Sequence, residues 1–371
     1  MLRDAIDQKR VPGVSLALSY RGAPFLRSAG YSDIEHDIRA TSDTPFWVMS
    51  VTKEFIATSI MLLAERGQLN IDDPLVKYLP DFPRASEVTL RELLSHTAGL
   101  NDFLKQPRPR RDLFIERLTA DPDNKVTDLV DFIAGMEPNP YEFDPGTAWD
   151  YSNSNFVVPS AVIEKVSGMP WQQFLRRNLF EPLRLDHTAV DSLYEIVPMR
   201  AAGYRRNNGQ FINAATFPRN AAGAAGSMRS TARDLLTWQM ALTGGRVVNA
   251  ASLRQMMEPA RVKDGRVTNR ALSPSAAQQN PNGVFAYGLG FMIDQEAGRR
   301  VVGHIGNFPG YETVVRTYPD NDLTLAVLTN ISGGATELAP KIAKAIFDNA
   351  SPRASRAALA CIAPASTPGR R

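Results

Sequence analysis

The order of secondary-structure patterns along the chain is the strongest constraint on its fold. Residues 14–20 and 24–31 flank the turn Arg21-Gly22 and form a predicted β-hairpin. Helical patterns then fill a long middle stretch, and strand patterns return after residue 280, at residues 301–303, 311–318 and 323–329. The simplest fold that brings both groups of strands into one sheet is a discontinuous α/β domain with a helical insertion.

The clearest helical pattern begins at Ser50 and ends near Leu69, with Gly67 marking the C-terminal end. Further helices are predicted at residues 88–94, 126–136, 156–167, 171–178 and 231–242. A closing helix at residues 337–349 has Pro340 in its first turn. We therefore expect one domain over residues 1–350, with its α/β part at about 1–69 and 280–350 and a mostly helical insertion at about 70–279.

The net charge of +3 originates in the C-terminal segment. Residues 351–371 contain four arginines and no acidic residue, so residues 1–350 carry a net charge of −1. A folded body without excess positive charge argues against a nucleic-acid partner. The same segment is rich in Ala, Pro and Ser, and it is predicted to be a disordered basic tail.

Several classes of site and location are disfavoured by what the sequence lacks. The single cysteine, Cys361, excludes an internal disulfide and a cysteine-based metal site, and the four histidines show no H-x-x-x-H spacing. No apolar run reaches the roughly 18–20 residues that span a bilayer. No secretory signal precedes the first strand. The chain as written is predicted to be cytoplasmic, or periplasmic or secreted if the N-terminus is incomplete.

The first candidate catalytic motif is S-x-x-K, formed by Ser50 and Lys53 where the first long helix begins. Residues three apart share a helix face, so the lysine ammonium can reach the serine hydroxyl. Desolvation can lower the pKa of a lysine until it acts as a base, which activates a serine without a Ser-His-Asp triad. On its own, the motif is weak evidence, because it more often marks a helix-capping serine followed by a solvated lysine.

Two further motifs supply polar groups that suit acyl transfer. Tyr151 and Asn153 form Y-x-N, in which a phenol can pass on a proton and an amide can orient a carbonyl or the lysine. Gly303-His304-Ile305-Gly306 ends a predicted strand, where glycine permits close approach of a substrate backbone and His304 can offer a hydrogen bond or positive charge. Taken singly, they also fit a loop turn and a β-bulge.

Together the three motifs resemble the serine β-lactamase and penicillin-binding protein superfamily. S-x-x-K and Y-x-N each occur once, in the order helix start, helical-domain loop and late strand. The chain is most similar to the class C β-lactamase-related branch, which has Y-x-N in place of the S-D-N of class A. The resemblance covers about residues 11–349 and includes L-L-x-H-x-x-G-L at residues 93–100 and a Gly-rich segment at 221–230.

The resemblance implies a fold, a mechanism and a set of roles. The fold is α/β (α+β), an antiparallel sheet flanked by helices with an inserted all-helical domain. Ser50 would form an acyl-enzyme, Lys53 and Tyr151 would share the proton transfers, and Asn153 would hold the substrate amide and Lys53. The oxyanion hole would use the backbone N–H groups of Ser50 and Asn307, beside Gly306 on the substrate strand. No metal or organic cofactor is implied.

The third motif departs from the class C pattern. His304-Ile305-Gly306 stands where class C β-lactamases have K-T-G, so a permanent charge and a hydroxyl for the lactam carboxylate are missing. The variant resembles certain D-Ala-D-Ala carboxypeptidases and D-aminopeptidases, and related family VIII esterases carry other variants. The principal hypothesis is a serine hydrolase acting on an ester or D-amino-acid amide of small or short-peptide size.

Two alternatives remain open at this stage. The chain could be a penicillin-interacting D,D-carboxypeptidase or weak class C-like β-lactamase, or a non-catalytic binding member of the fold. Two tempting residues are assigned no catalytic role. His96 is expected to orient a loop, and Lys263, in the K-x-G at residues 263–265, is expected to lie in a hairpin turn. The sequence does not indicate an oligomeric state.

Overall fold

The computed structural model describes residues 1–107, 112, 116, 126–192, 194–215, 217–269 and 286–349, and the predicted tail at 351–371 lies outside them. The described strands are β1 (Gly13–Tyr20), β2 (Ala23–Asp33), β3 (Ile38–Arg39), β4 (Phe46–Trp47), β5 (Ala189–Val190), β6 (Tyr204–Asn207), β7 (Gln210–Asn213), β8 (Met228–Ser230), β9 (Ala286–Tyr287), β10 (Met292–Glu296), β11 (Arg299–Phe308), β12 (Tyr311–Tyr318) and β13 (Leu323–Thr329).

The described helices alternate with these strands. They are α1 (Leu2–Asp7), α2 (Thr52–Glu65), α3 (Leu90–Leu94), α4 (Val126–Ala134), α5 (Ser154–Ser167), α6 (Trp171–Leu175), α7 (Glu181–Leu183), α8 (Ala232–Thr243), α9 (Ala250–Met257) and α10 (Gly334–Asp348). A π-helical turn, Arg176–Phe180, joins α6 to α7. Short 3₁₀ turns occur at Met49–Val51, Leu75–Lys77, Phe103–Lys105, Arg219–Ala225 and Pro319–Asn321.

The main sheet has eight strands in the order β3-β2-β1-β13-β12-β11-β10-β9. Every neighbouring pair is antiparallel, and the pairing of β1 with β13 joins the N-terminal hairpin to the late strands, with Leu16 opposite Val327. The antiparallel sheet and its flanking helices confirm the predicted fold class.

Both faces of the sheet are covered. On β1, Val14, Leu16 and Leu18 pack in the cluster that contains α1 and α10. Ala17 belongs instead to the larger core on the opposite face. Alternation of side chains along a strand therefore places β1 between two apolar layers, and all eight of its residues are buried.

Helix α2 runs through the larger core. Every residue from Thr52 to Leu63 is buried, so the helix carries no solvent-facing stripe over those turns. Glu54 is tied to α8 because it accepts hydrogen bonds from Trp238 Nε1 (3.0 Å) and from the Gln239 amide. Burial raises the pKa of Glu54 to about 8, which keeps this carboxyl neutral near pH 7.

The predicted elements agree with the structure best near the two ends of the chain. Strands β12 and β13 have the predicted bounds, and α2 ends before Gly67, which is left-handed (φ +69°). The closing helix starts at Gly334 rather than residue 337, so Pro340 lies inside it and not in its first turn. Strands β5 to β8, within the stretch predicted as mostly helical, were not predicted. The proposed division into two parts stays a prediction.

Strands β4, β8 and β5 form a small antiparallel sheet that leads directly into the residues of interest. Phe46 pairs with Ser230 and Trp47 with Arg229. Trp47 Nε1 donates to Gly226 O (2.7 Å). These contacts fix the chain just before Ser50 against the Gly-rich segment at 221–230. Within the described residues, no helix has both the length and the apolar character needed to cross a membrane.

Candidate active site

Ser50 lies in the 3₁₀ turn that precedes α2. Met49, immediately before it, has φ +45°, a left-handed conformation that is uncommon for a non-glycine residue. The turn is held by Thr52, whose hydroxyl donates to Met49 O (2.6 Å) and accepts from the backbone N–H of Met228 (3.3 Å). A backbone held in a sparsely populated conformation is typical of functional sites. The sequence contained no signal for it.

Lys53 is completely buried and has three acceptors around its ammonium group. Nζ donates to Ser50 Oγ (3.1 Å), Asn153 Oδ1 (2.8 Å) and the backbone carbonyl of Ala225 (2.7 Å). These three contacts use all three N–H groups of an ammonium. The structure therefore brings together the predicted residues Ser50, Lys53 and Asn153.

The surroundings of Lys53 favour its neutral form. Burial lowers its pKa to about 7, and the Asp102 carboxylate opposes that effect. When the amine is neutral, Asn153 Oδ1 and Ala225 O can keep its two N–H groups because a carbonyl oxygen only accepts. The remaining position, toward Ser50 Oγ, is then a lone pair that can receive the serine proton.

Tyr151 lies on the other side of this group. Its ring centroid is 4.9 Å from Lys53 Nζ, and its hydroxyl is hydrogen-bonded to Ser50. Burial raises the pKa of Tyr151 above its usual range, although the bond to Ser50 partly opposes this, so the side chain is a phenol near pH 7.

His96 packs directly on Tyr151, with 4.4 Å between the two ring centroids. Its Nδ1 accepts from the backbone N–H of Ser152 and from the Asn155 amide, both at 3.3 Å. Burial lowers the pKa of His96 well below its usual value. This neutral, buried histidine supports the Tyr151 loop, in line with the loop-orienting role expected from the sequence.

Gly306 lets β11 approach the Ser50 turn. A Cβ built on Gly306 would lie 2.1 Å from Val48 O, a distance that no side chain tolerates at a backbone carbonyl, and 3.2 Å from Ser50 N. The next residue, Asn307, donates from its side-chain amide to Glu312 Oε1 (3.0 Å) and accepts from the Ser332 hydroxyl (3.1 Å). Gly306 therefore lies against the Ser50 turn, and both the substrate-strand role of Gly306 and the oxyanion role of the Asn307 backbone stay predictions.

His304 has a different environment from the one expected. The residue is 1% exposed, with Nδ1 2.9 Å from Ile305 O and Nε2 3.0 Å from the Tyr287 hydroxyl. A carbonyl can only accept, so Nδ1 carries the proton and Nε2 accepts from Tyr287. Burial, with a contribution from Lys53, lowers the pKa of His304 to about 3. Burial and the two internal partners of the ring thus disfavour a positive charge on His304, and its role toward the substrate, by a hydrogen bond or by charge, stays a prediction.

This environment predicts one fixed protonation state for His304. We expect ¹⁵N-resolved imidazole spectra to show the Nδ1–H tautomer unchanged from pH 5 to 8, because both ring nitrogens have internal partners. Tyr287→Phe removes the donor to Nε2 and should raise the pKa of His304 only if water replaces the phenol. Exposed His36, paired with Asp33 at 2.7 Å, serves as the titrating reference in the same spectra. Titration of His304 near pH 6.5 would contradict the assignment.

Three contributors to the site were not predicted. Asp102 accepts from Asn153 Nδ2 (2.9 Å), Ala225 provides the backbone carbonyl for Lys53, and Tyr287 binds His304. Two of them adjoin segments that the sequence analysis singled out: Asp102 follows residues 93–100, and Ala225 lies in the Gly-rich segment 221–230. No spacing rule connects them to Lys53.

Two other groups lie away from these contacts. Lys263 donates to Pro145 O (2.8 Å) from a hairpin in which Arg261 pairs with Val267, as the sequence predicted. Among the described residues, the side chains that could share a metal ion are Asp33, Glu35 and His36. They lie at the end of β2 and just after it, and they are partly or fully exposed.

Comparisons with known proteins find similarity over most of the chain. A family model described as "Beta-lactamase" matches residues 1–347. The chain is 26% identical to a D-amino acid amidase from Ochrobactrum anthropi SV3, with a TM-score of 0.77 over 94% of this chain and 97% of that one. It is 29% identical to a D-stereospecific amidohydrolase from Streptomyces sp., with a TM-score of 0.74 over 92% and 96% of the two chains.

One relative found by sequence similarity is a longer protein than this chain. The chain is 30% identical over 230 residues to a putative penicillin-binding protein, PbpX, from Bacillus subtilis. That match covers 62% of this chain and 54% of the relative, so it spans about half of the relative's length.

Proposed function

The chain belongs to the beta-lactamase family and is a serine hydrolase, and we propose that it cleaves amides or esters of D-amino acids through an acyl-enzyme formed on Ser50. The observation that carries this proposal is the environment of Lys53. A completely buried amine, with two carbonyl acceptors holding its N–H groups, lies 3.1 Å from the Ser50 hydroxyl. That arrangement is what a serine needs in order to be deprotonated without a histidine.

Acylation begins with transfer of the Ser50 proton to the Lys53 lone pair. Ser50 Oγ then bonds to the substrate carbonyl carbon, and the carbonyl oxygen becomes an oxyanion. In this proposal the backbone N–H groups of Ser50 and Asn307 stabilise that charge. The tetrahedral intermediate collapses when the carbon–nitrogen or carbon–oxygen bond to the leaving group breaks.

The proton held by Lys53 has to reach the leaving group. Tyr151 is hydrogen-bonded to Ser50 and keeps its own proton near pH 7, so it is placed to pass a proton onward rather than to act as the initial base. Water then attacks the acyl-enzyme and gives up a proton along the same route, and the acid leaves with Ser50 restored. The contacts thus favour Lys53 as the base for acylation.

The third motif favours a neutral leaving group. A free carboxylate on that side of the scissile bond would need a cation, and here the motif offers a neutral, buried His304 and an apolar Ile305. The likeness to a D-amino acid amidase and a D-stereospecific amidohydrolase, at 26% and 29% identity, supports D-amino-acid amides as the first substrate class. Esters of the same acyl groups are the second.

One observation favours a second candidate function. The 30% identity to a putative penicillin-binding protein supports a penicillin-interacting D,D-carboxypeptidase or weak β-lactamase. A penicillin carries a fixed carboxylate, so the state of His304 argues against efficient use of this substrate.

A substrate panel tests the proposal. The full chain is assayed with D- and L-phenylalanine amide and D- and L-alanine amide, the matching p-nitrophenyl esters, D-Ala-D-Ala and benzylpenicillin. We expect the D-amides to exceed the L-amides at least about tenfold in kcat/KM, a difference of about 1.4 kcal/mol in transition-state binding. Benzylpenicillin hydrolysis should be slower than hydrolysis of the best D-amide.

The alternative gives a different pattern. Faster turnover of benzylpenicillin or D-Ala-D-Ala than of every amide and ester would favour the second candidate. Equal rates with D- and L-amides would contradict the proposed substrate class and leave the serine hydrolase mechanism in place.

A further inference from the structure

Asp102 is a buried carboxylate that the reaction described above does not use directly. It lies in the loop after α3 and is 7% exposed. Its Oδ1 accepts from the backbone N–H of Leu104 (3.0 Å) and its Oδ2 accepts from Asn153 Nδ2 (2.9 Å). Both oxygens act as acceptors, which is the pattern of an ionised carboxylate.

The hydrogen bonds that connect Asp102, Asn153 and Lys53 allow only one consistent arrangement of donors and acceptors. A carboxylate accepts at both ends, so the Asn153 NH₂ group has to face Asp102. The amide oxygen then faces Lys53 Nζ, 2.8 Å away. An asparagine amide turned the other way would present N–H groups to an amine that already donates.

We propose that Asp102 is a positioning residue whose carboxylate fixes the orientation of the Asn153 amide and, through it, the base Lys53. This inference rests on the proposed function, because it assigns to Asp102 a role in the activation of Ser50. Asp102 touches neither Ser50 nor a reacting atom, and it acts through Asn153.

The charge of Asp102 also acts on Lys53. It raises the pKa of the lysine against the effect of burial, and the lysine in turn lowers the pKa of Asp102, which burial raises. The other titratable groups that face this pair are Tyr151, His96, His304 and, on the loop beside Asp102, Lys105. Both histidines are neutral in their buried sites. The carboxylate of Asp102 is the negative charge that raises the pKa of Lys53.

Asp102→Asn keeps the volume of the side chain. It removes the negative charge that acts on Lys53 and one of the two acceptor oxygens, which orients the Asn153 amide. In Asp102→Asn, the Leu104 N–H donates to the one remaining side-chain oxygen of residue 102. The new NH₂ group then faces the Asn153 NH₂ group, and two donors oppose each other. Either the Asn153 amide turns over or its bond to residue 102 is lost. Loss of the charge lowers the pKa of Lys53 at the same time.

The test uses a reaction that does not depend on the identity of the substrate. A fluorophosphonate labels an activated serine when Oγ bonds to phosphorus and fluoride leaves, and the rate is measured by intact-protein mass spectrometry from pH 5 to 9. In the unaltered protein, we expect the rate to rise with pH around 7, as Lys53 loses its proton. Asp102→Asn should lower the plateau rate at least about tenfold and move the rise about one pH unit lower.

A double variant reverses the direction of the shift. Asp102→Asn with Asn153→Asp exchanges the carboxylate and the amide, so the negative charge lies directly against Lys53 Nζ. The rise should then move at least about one pH unit above that of the unaltered protein. Movement of the single variant to lower pH supports the proposal by itself.

A matched control tests whether loss of any buried carboxylate has the same effect. Asp234 is 4% exposed and accepts from the Thr188 hydroxyl (2.8 Å) and the His187 N–H (2.9 Å), away from Lys53. Asp234→Asn should lower the melting temperature and leave the pH of the rise unchanged. If Asp102→Asn behaves like Asp234→Asn, Asp102 is only structural and the proposal is overturned.

Failure of the proposed function would look different. In that case the unaltered protein itself would show no labelling of the peptide that contains Ser50. Labelling of Ser50 with a normal pH dependence, unmoved by Asp102→Asn, would overturn the role of Asp102 alone.

Discussion

Ser50→Ala should abolish hydrolysis, with kcat falling by at least about 10⁴-fold. The acyl-enzyme cannot form without Oγ, and Lys53 is buried with no second hydroxyl among its three acceptors. The loss should appear with the best substrate of the panel and as complete loss of fluorophosphonate labelling. KM should change little, because the substitution removes one oxygen atom and leaves β11 in place.

The control for this variant is Ser59→Ala, on the same helix. Ser59 is buried and its hydroxyl donates to Phe55 O (2.8 Å) within α2, so its loss costs about 1 kcal/mol of stability. Its activity should stay within about threefold of the unaltered protein. Retention of more than about 1% of the activity by Ser50→Ala would rule out Ser50 as the nucleophile.

Lys53→Met should lower kcat/KM by at least about 10³-fold, since it removes the base and keeps the unbranched shape and most of the length of the side chain. Lys53→Arg should be similarly inactive. The guanidinium supplies charge and N–H donors but does not lose a proton at these pH values. The pair of variants therefore separates a base from a positive charge, and activity in Lys53→Arg would contradict the mechanism.

The pH dependence of activity is a second measurement of the role of Lys53 as the base. The pKa of Lys53 is lowered to about 7, so the neutral, active form makes up roughly a tenth of the protein at pH 6 and roughly nine tenths at pH 8. Activity should rise with pH through this range, and the residual activity of Lys53→Met should lack the rise. Lys77→Met, which removes an exposed lysine paired with Asp73, should keep it.

The sequence predicted the parts of the fold that have long, regular patterns. Strands β12 and β13 are rich in β-branched, aromatic and aliphatic residues, and their bounds agree with the prediction. Strands β4 and β5 have two residues each, too few to show an alternation, and only their pairing with β8 defines them. The closing helix begins earlier than Pro340 suggested because Gly333, at φ +84°, starts it.

The same distinction applies to the candidate site. Ser50 and Lys53 are three residues apart, so helix geometry alone predicted their contact. Asn153 and Ala225 reach Lys53 from 100 and 172 residues away. The chemistry of an amide and the family resemblance suggested the first of these contacts, and nothing in the sequence suggested the second. The charge of His304 could not be read from its own motif, because Tyr287 and the surrounding core determine it.

The pairing of β1 with β13 has a consequence for the order in which the protein can mature during translation. The hairpin β1–β2 leaves the ribosome early, yet the free edge of β1 has no partner until β13 has been made. Its apolar residues on both faces stay uncovered for most of synthesis, which favours association with chaperones. Ser50 and Lys53 are also made before β11, whose Gly306 lies against the Ser50 turn. A nascent chain therefore carries its nucleophile long before it can use it.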